Sequence, residues 1–415
     1  MFILKNCCLI DGVSAEPIPD GMVAVREGKI VYAGPYEESV CRANPDLPVT
    51  DLEGKTVMPG LIDAHVHLSM DGAPDNFRNS VLDTAGFNVI QGVLRAQRDL
   101  AAGFTTIRCC GEKGEVDIDI RNAVREGLIA GPRILAAGKA ITITGGHGDM
   151  LPGEAALDWI AEVADGVDEV RKAARRRIKR RVDNIKLMAT GGGMSPGPAT
   201  VAQLNEDEMR AAVIEAEKNG VCTSAHCIGE EGCANAVRAG VRTIEHGTFL
   251  NEETIARMAE QGTYLMSTLA SFKTIKYGPE GGVPDDHRKK VEFFAQKHFV
   301  NLRKAIAAGV KVGCGTDCGT PFNYHGDNAY ELECLVEIGG MTPMEAIIAA
   351  TSVTAKAVMQ PDIGSLEAGK TADLLVVDGA PLGDIKVLQN HDAIRQVYRD
   401  GRLLVDRDSG RMPVF

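Results

Sequence analysis

The chain has 415 residues, 25% charged and 44% hydrophobic, with 45 Lys and Arg against 57 Asp and Glu for a net charge of -12. That acidic balance favours solubility and works against broad attraction to nucleic acid or an anionic membrane, so the expected partner is a small molecule. The cysteines, 11 in all, lack zinc-ribbon spacing and argue against a disulfide framework; they read as reduced thiols of a cytoplasmic protein.

Met1-Phe2-Ile3-Leu4 runs at once into Lys5 and Asn6, too short an apolar stretch for a leader or a membrane span, and no spanning candidate follows. Short strands come next: Met22-Val23-Ala24-Val25 and Ile30-Val31-Tyr32 flank Arg26-Glu27-Gly28-Lys29, a hairpin signal. The far end has the same texture. Asp373–Val377 reads as a strand, and Val397-Tyr398 and Leu403-Leu404-Val405 flank the turn Arg399-Asp400-Gly401. Each end is too small to stand alone, so the expectation is one small β-sandwich built from residues 1–56 and 361–415, with residues 57–360 inserted between them.

The insert alternates apolar strands with amphipathic helices, the pattern of parallel β/α architecture. Strand candidates lie at Val57–Ala64, Thr105–Arg108, Arg133–Ala137, Asn184–Met188, Val221–Ala225, Val241–Glu245, Thr263–Ser267 and Val310–Gly315. Eight strands close a barrel, so the predicted fold is α/β, a (β/α)8 TIM barrel carrying the sandwich. Asn205 with Glu208, and Thr342-Pro343 with Glu345, mark capping boxes at two helix starts. Phe272 to Pro284, rich in glycine, is expected to be a loop over the active end. The basic run from Arg171 to Arg181 reads as a solvated helix face.

Chemistry concentrates at strand ends. In an extended strand His65 and His67 point to the same face and can grip one ion together. His226, His246 and Asp317 each follow a later strand directly, at the end of a barrel where side chains converge. Lys186 sits inside Asn184–Met188, where burial is costly for an ammonium. A structural salt bridge is one reading of it. The other is a free amine that adds carbon dioxide and becomes a carbamate. The carbamate would bridge two ions, His65, His67 and Asp317 holding one and His226 and His246 the other. Loop residues Tyr324 and His325 after the last strand are candidate substrate contacts.

Pro59-Gly60-Leu61-Ile62-Asp63-Ala64-His65-Val66-His67, Lys186, Ser224-Ala225-His226, Glu245-His246-Gly247 and Gly315-Thr316-Asp317 together resemble the amidohydrolase superfamily. Thr144-Gly145-Gly146-His147-Gly148, Ile185–Gly192 and Met341–Ala346 are similar to its imidazolonepropionase-related, prolidase-like branch. The resemblance implies two divalent ions, usually zinc, on the six residues named, and His147 as a donor to the substrate carbonyl. It also implies attack by a metal-bridging hydroxide on the amide C–N bond of a dipeptide or N-acyl amino acid, Asp317 handling the proton. Hydrolysis of cyclic amides, carbamates, ureas, lactones or xenobiotic aryl amides is the alternative, and a non-catalytic scaffold the remote one. One departure stands out. Where proline-releasing relatives have a tyrosine holding the substrate carboxylate, this chain has Ile228. A homo-oligomer is expected, as for most soluble enzymes.

Overall fold

The structure, a computed structural model, describes residues 1–75, 82–149, 159–195, 197–273 and 285–412. Strands β1 (Phe2–Leu9), β2 (Ile18–Arg26), β3 (Lys29–Pro35), β4 (Val49–Asp51) and β5 (Thr56–Pro59) open the chain. The middle supplies β6 (Leu61–Val66), β7 (Phe104–Cys109), β8 (Arg133–Leu135), β9 (Ala140–Thr142) and β10 (Ala161–Val163). It continues with β11 (Asn184–Met188), β12 (Cys222–Cys227), β13 (Thr243–His246), β14 (Tyr264–Met266) and β15 (Lys311–Gly313). The end adds β16 (Leu374–Val377), β17 (Ile394–Arg399) and β18 (Arg402–Asp406).

Both chain ends share one 8-stranded sheet in the order β18-β17-β16-β5-β1-β2-β3, with β4 on β1. Val57–Ala64, read above as one barrel strand, is two strands. β5 pairs with β16 and β1 in the end sheet, and β6 starts the barrel beside β7. Gly60 is the joint: a Cβ there would lie 2.1 Å from Thr105 Oγ1, so only glycine lets the chain pass between the two sheets.

β6-β7-β8 and β11-β12-β13-β14-β15 are parallel and form the barrel wall, with the 3-residue strands β9 and β10 continuing the second row outward. The two rows meet at both edges. Asp183 N donates to Ala136 O at 2.8 Å, and across the other seam Ala64 N donates to Cys314 O at 2.9 Å and Asp317 N to His65 O at 2.8 Å. Both expected capping boxes are present. The basic run lies on and just beyond the helix Val167–Lys179 and is paired: Arg171 with Asp168, Arg175 with Glu215, Arg176 and Arg177 with Glu162, and Arg177 and Arg180 with Glu115. All eleven cysteines are unpaired thiols, and among the described residues no helix is long and apolar enough to cross a membrane.

Beneath the barrel rim Asp117 accepts from Ala137 N at 2.7 Å and Gly138 N at 2.9 Å. Burial, and then the neighbouring Glu112, push its carboxyl from 3.8 up to about 7. The folded chain therefore keeps a proton that the unfolded chain releases near pH 4, so this group's contribution is complete below about pH 4 and is lost as pH rises through about 7. Between about pH 5 and 8 the wild type is expected to lose on the order of 2–3 kcal/mol relative to Asp117→Asn, read by chemical denaturation. A difference that does not change with pH would contradict this assignment.

Candidate active site

At the carboxyl ends of the barrel strands, His65, His67, His147, Lys186, His226, Ile228, His246 and Asp317 line one cavity. Alternation along β6 puts His65 and His67 on the same side, and both direct Nε2 at Asp317 Oδ1, at 3.4 and 3.2 Å. His226 Nδ1 and His246 Nε2 face each other at 2.9 Å. Asp317 and His246 reach inward on left-handed backbone, with φ of 62 and 69 degrees.

The opposite ring nitrogens are all engaged by the protein. His65 Nδ1 meets Glu245 Oε2 at 2.7 Å, and His67 Nδ1 meets the Gly111 carbonyl at 2.9 Å. His226 Nε2 meets the Gly191 carbonyl at 2.9 Å, and His246 Nδ1 meets Thr268 Oγ1 at 2.7 Å. Four imidazoles are thus each pinned on one side, as metal-ligating histidines are, and the other nitrogens of His65 and His67 meet at Asp317 while those of His226 and His246 meet each other. Glu245 is itself held by Arg108, whose guanidinium donates to Glu245 Oε1 at 2.7 Å and to the Ala64 carbonyl at 2.7 Å.

Burial holds His65 and His226 well below the ordinary imidazole range, with Lys186 adding to it for His65 and His147 for His226. Burial likewise brings His246 down to about 3 and His147 to about 4. Burial acts to lower His67 too, but its bond and charge attraction to Asp317, helped by Glu112 and the Gly111 carbonyl, together outweigh burial and raise it. Burial acts to raise Asp317, but the surrounding His65, His67 and His246 overcome it and keep the carboxylate ionised. His65, His226 and His246, held neutral beside an ionised carboxylate, are donors of the kind a divalent cation takes. His65, His246 and Asp317 each offer a donor atom within 4.8 Å of the others.

Lys186 stands in this ring of donors, 1% exposed, and among the described residues its Nζ has no hydrogen-bond partner. The salt-bridge reading of Lys186 therefore has no partner to support it. An interior polar atom without a partner calls for an explanation, and among oriented histidines and an aspartate a ligand or modification that completes the amine supplies one.

His147 takes its place through its Nδ1 bond to Ser195 Oγ and its backbone bond to Gln203 at 2.8 Å. Gly192 makes room for it: a Cβ there would lie 2.3 Å from the His147 ring. Tyr324 and His325 do not line the cavity, which corrects their reading as substrate contacts. Tyr324 is 43% exposed and packs against Gly72, while His325 is buried between Asp99 Oδ2 at 2.8 Å and the His67 carbonyl at 3.1 Å. His325 supports the backbone of His67 from behind. Cys227 and Cys318 are buried and do not line the cavity either; Cys110 does, with its thiol pushed up to about 12 by burial and so chemically quiet. Phe272 lines the cavity, and residues 274–284 of the expected loop lie outside the described residues.

Residues 56–404 match the Amidohydrolase family. The chain belongs to that family. Ochratoxinase of Aspergillus niger is 32% identical over 425 aligned positions, covering 95% of this chain and 85% of the relative. A prolidase complexed with N-methylphosphonate-L-proline superposes with a TM-score of 0.88 at 35% identity, over 98% of this chain and 99% of that one. A Xaa-Pro dipeptidase with methionine bound in its active site gives 0.87 at 34% identity, over 97% and 99%. This amidohydrolase falls in the imidazolonepropionase-related, prolidase-like branch and is a hydrolase acting on carbon–nitrogen bonds.

Proposed function

We propose that this amidohydrolase cleaves the amide C–N bond of dipeptides or N-acyl amino acids at a centre of two divalent cations. The observation that carries the reading is the unpartnered Lys186 amine inside a ring of four oriented histidines and an ionised aspartate. His65, His67 and Asp317 would hold one cation and His226 and His246 the other. Lys186, after adding carbon dioxide through its amine with release of one proton, would serve both. The imidazole-rich donor set suits zinc. Such cations would make a water nucleophilic near neutral pH and polarise the scissile carbonyl.

The remaining work falls to side chains of this chain. Asp317, ionised and open to the cavity, accepts the proton of the attacking water and returns it to the departing nitrogen. In the tautomer where Ser195 O–H donates to His147 Nδ1, Nε2–H is left to donate to the oxygen of the substrate carbonyl as charge builds there. The prolidase, dipeptidase and ochratoxinase relatives support an amide substrate. The apolar Ile228 favours a second reading, in which the substrate is a cyclic amide, carbamate, urea, lactone or aryl amide with no carboxylate to be held.

The test is release of free amine from Xaa-Pro and Xaa-Arg dipeptides, N-acyl amino acids and aryl amides by protein loaded with zinc in bicarbonate. Turnover is expected to vanish on chelation, and Asp317→Asn is expected to lower kcat by about 10² to 10⁴. Absence of turnover on every dipeptide and N-acyl amino acid would overturn the first reading.

A further inference from the structure

Among the described buried polar atoms without a hydrogen-bond partner, two belong to side chains that line the cavity: Lys186 Nζ, used above, and His298 Nε2. His298 is 2% exposed and belongs to the long helix Asp285–Ala307, which brings Val291, Phe294 and His298 to the cavity at helical spacing. It is the polar member of that apolar stripe. Burial pulls its imidazole down to about 4, with the Ser267 carbonyl acting the other way, so the ring is uncharged near neutral pH.

The ring is held from two sides. Its Nδ1 lies 3.2 Å from Thr248 Oγ1, and the Phe272 ring meets it edge-on with centroids 5.0 Å apart. Further along the same helix Asn301 Nδ2 donates to the Thr248 carbonyl at 2.9 Å, which ties the helix to the segment leaving β13 just after His246. Phe294, one turn before His298, packs with Ile228 in one apolar cluster, and Phe249 N donates to the Ile228 carbonyl at 3.0 Å. His298 therefore stands beside the wall that Ile228 forms. Other hydroxyls on the lining are engaged by the chain: Ser271 donates to the Thr268 carbonyl at 2.7 Å, Thr268 Oγ1 meets His246 Nδ1 at 2.7 Å, and Thr320 donates to the Asp317 carbonyl at 2.7 Å. In the tautomer where Thr248 O–H donates to Nδ1, His298 keeps an Nε2–H that no described residue receives.

Resting on the dipeptide and N-acyl amino acid reading, we propose that His298 holds the free carboxylate of the substrate, in place of the tyrosine that position 228 lacks. Isoleucine is shorter than tyrosine and carries no donor, so a carboxylate at that wall needs one from a neighbouring element. Leaving water without one is costly for an ionised group. A hydrogen bond from a buried N–H to a carboxylate is roughly twice as strong as one between neutral groups. One contact thus answers both the substrate's need and the ring nitrogen's missing partner.

The test compares pairs that differ only by the carboxylate: leucyl-proline against leucyl-pyrrolidide, and N-acetyl-leucine against N-acetyl-isopentylamine. The wild type is expected to favour the acid of each pair it cleaves by about tenfold or more in kcat/KM. His298→Phe is expected to lower kcat/KM on the acid by about 10- to 100-fold, with a far smaller change on the neutral counterpart. His298→Gln, which keeps an N–H, is expected to recover part of that preference, and Thr248→Val, which frees the tautomer, to lose part of it. Equal losses on acid and neutral amide in His298→Phe, or a wild type that favours the neutral amide, overturn the proposal and leave amide hydrolysis standing. Should His298→Phe fail to fold, unchanged acid preference in both His298→Gln and Thr248→Val overturns it. If neither pair is cleaved, the dipeptide and N-acyl amino acid reading fails, and calorimetric titration of the zinc-loaded protein with N-acetyl-leucine decides the carboxylate site. Binding weakened about tenfold or more in His298→Gln or His298→Phe is expected, and no binding to the wild type, or equal binding to wild type and variants, overturns the proposal.

Discussion

Replacing Lys186 by methionine is expected to make the metal-free protein more stable while abolishing its activity. The amine is 1% exposed and lacks a partner among the described residues, so an apolar chain of similar length removes an unsatisfied group and leaves no cavity. A gain of about 1–3 kcal/mol follows from the cost of an unpaired interior polar group. On the proposed function, in which Lys186 would join the two cation positions, its loss is expected to lower kcat/KM by about 10⁴ or more, with metal content falling below that of the wild type. A lysine kept for structure would behave in the opposite way, its replacement weakening the fold and sparing metal. Urea denaturation of the chelated proteins, beside metal analysis of the loaded ones, separates the two.

The second large effect is expected at Arg108, which is not among the described residues lining the cavity. Its guanidinium is fully buried and ties Glu245, Thr243 Oγ1 at 3.0 Å and the Ala64 carbonyl into one layer under the site. Arg108→Met leaves the buried Glu245 carboxylate without its cation, with only the hydrogen bonds to His65 and Thr243, which costs roughly 3–5 kcal/mol. Glu245 is also what orients His65, so metal affinity should drop by about 10- to 100-fold. Adding Glu245→Gln to Arg108→Met is expected to return part of the stability, because the stranded charge is gone, without returning metal affinity. A single variant as stable as the wild type would show that this pair does not hold the layer together.

Much of this site could be read before any coordinates. His65 and His67 share a face because strands alternate, and Lys186 stood out because a lysine inside Asn184–Met188 breaks an otherwise apolar strand, which the structure reproduces with the same limits. His226, His246 and Asp317 each follow a strand directly in the sequence, and the structure gathers them in one cavity with His65, His67 and Lys186. What escaped has physical reasons. Val57–Ala64 looked continuous because apolar runs carry no sign of which sheet they join; the sign was Gly60, whose need for space against Thr105 exists only in three dimensions. β9 and β10 are too short to show a period. The bonds from Arg108 to Glu245 and from Ser195 to His147 span 137 and 48 positions, beyond the reach of any local pattern. Tyr324 and His325 follow the last strand as Asp317 does, but side-chain direction in a loop is not periodic, and one turns to Gly72 and the other beneath His67.

The measurement that bears most directly on the account is native mass spectrometry of the zinc-loaded protein prepared in bicarbonate, with peptide mapping under mild conditions. Two metal ions per chain together with one added carbon dioxide on Lys186 is the expected result. An unmodified Lys186 in a protein that binds no metal, or that hydrolyses amides fully without it, would contradict the account.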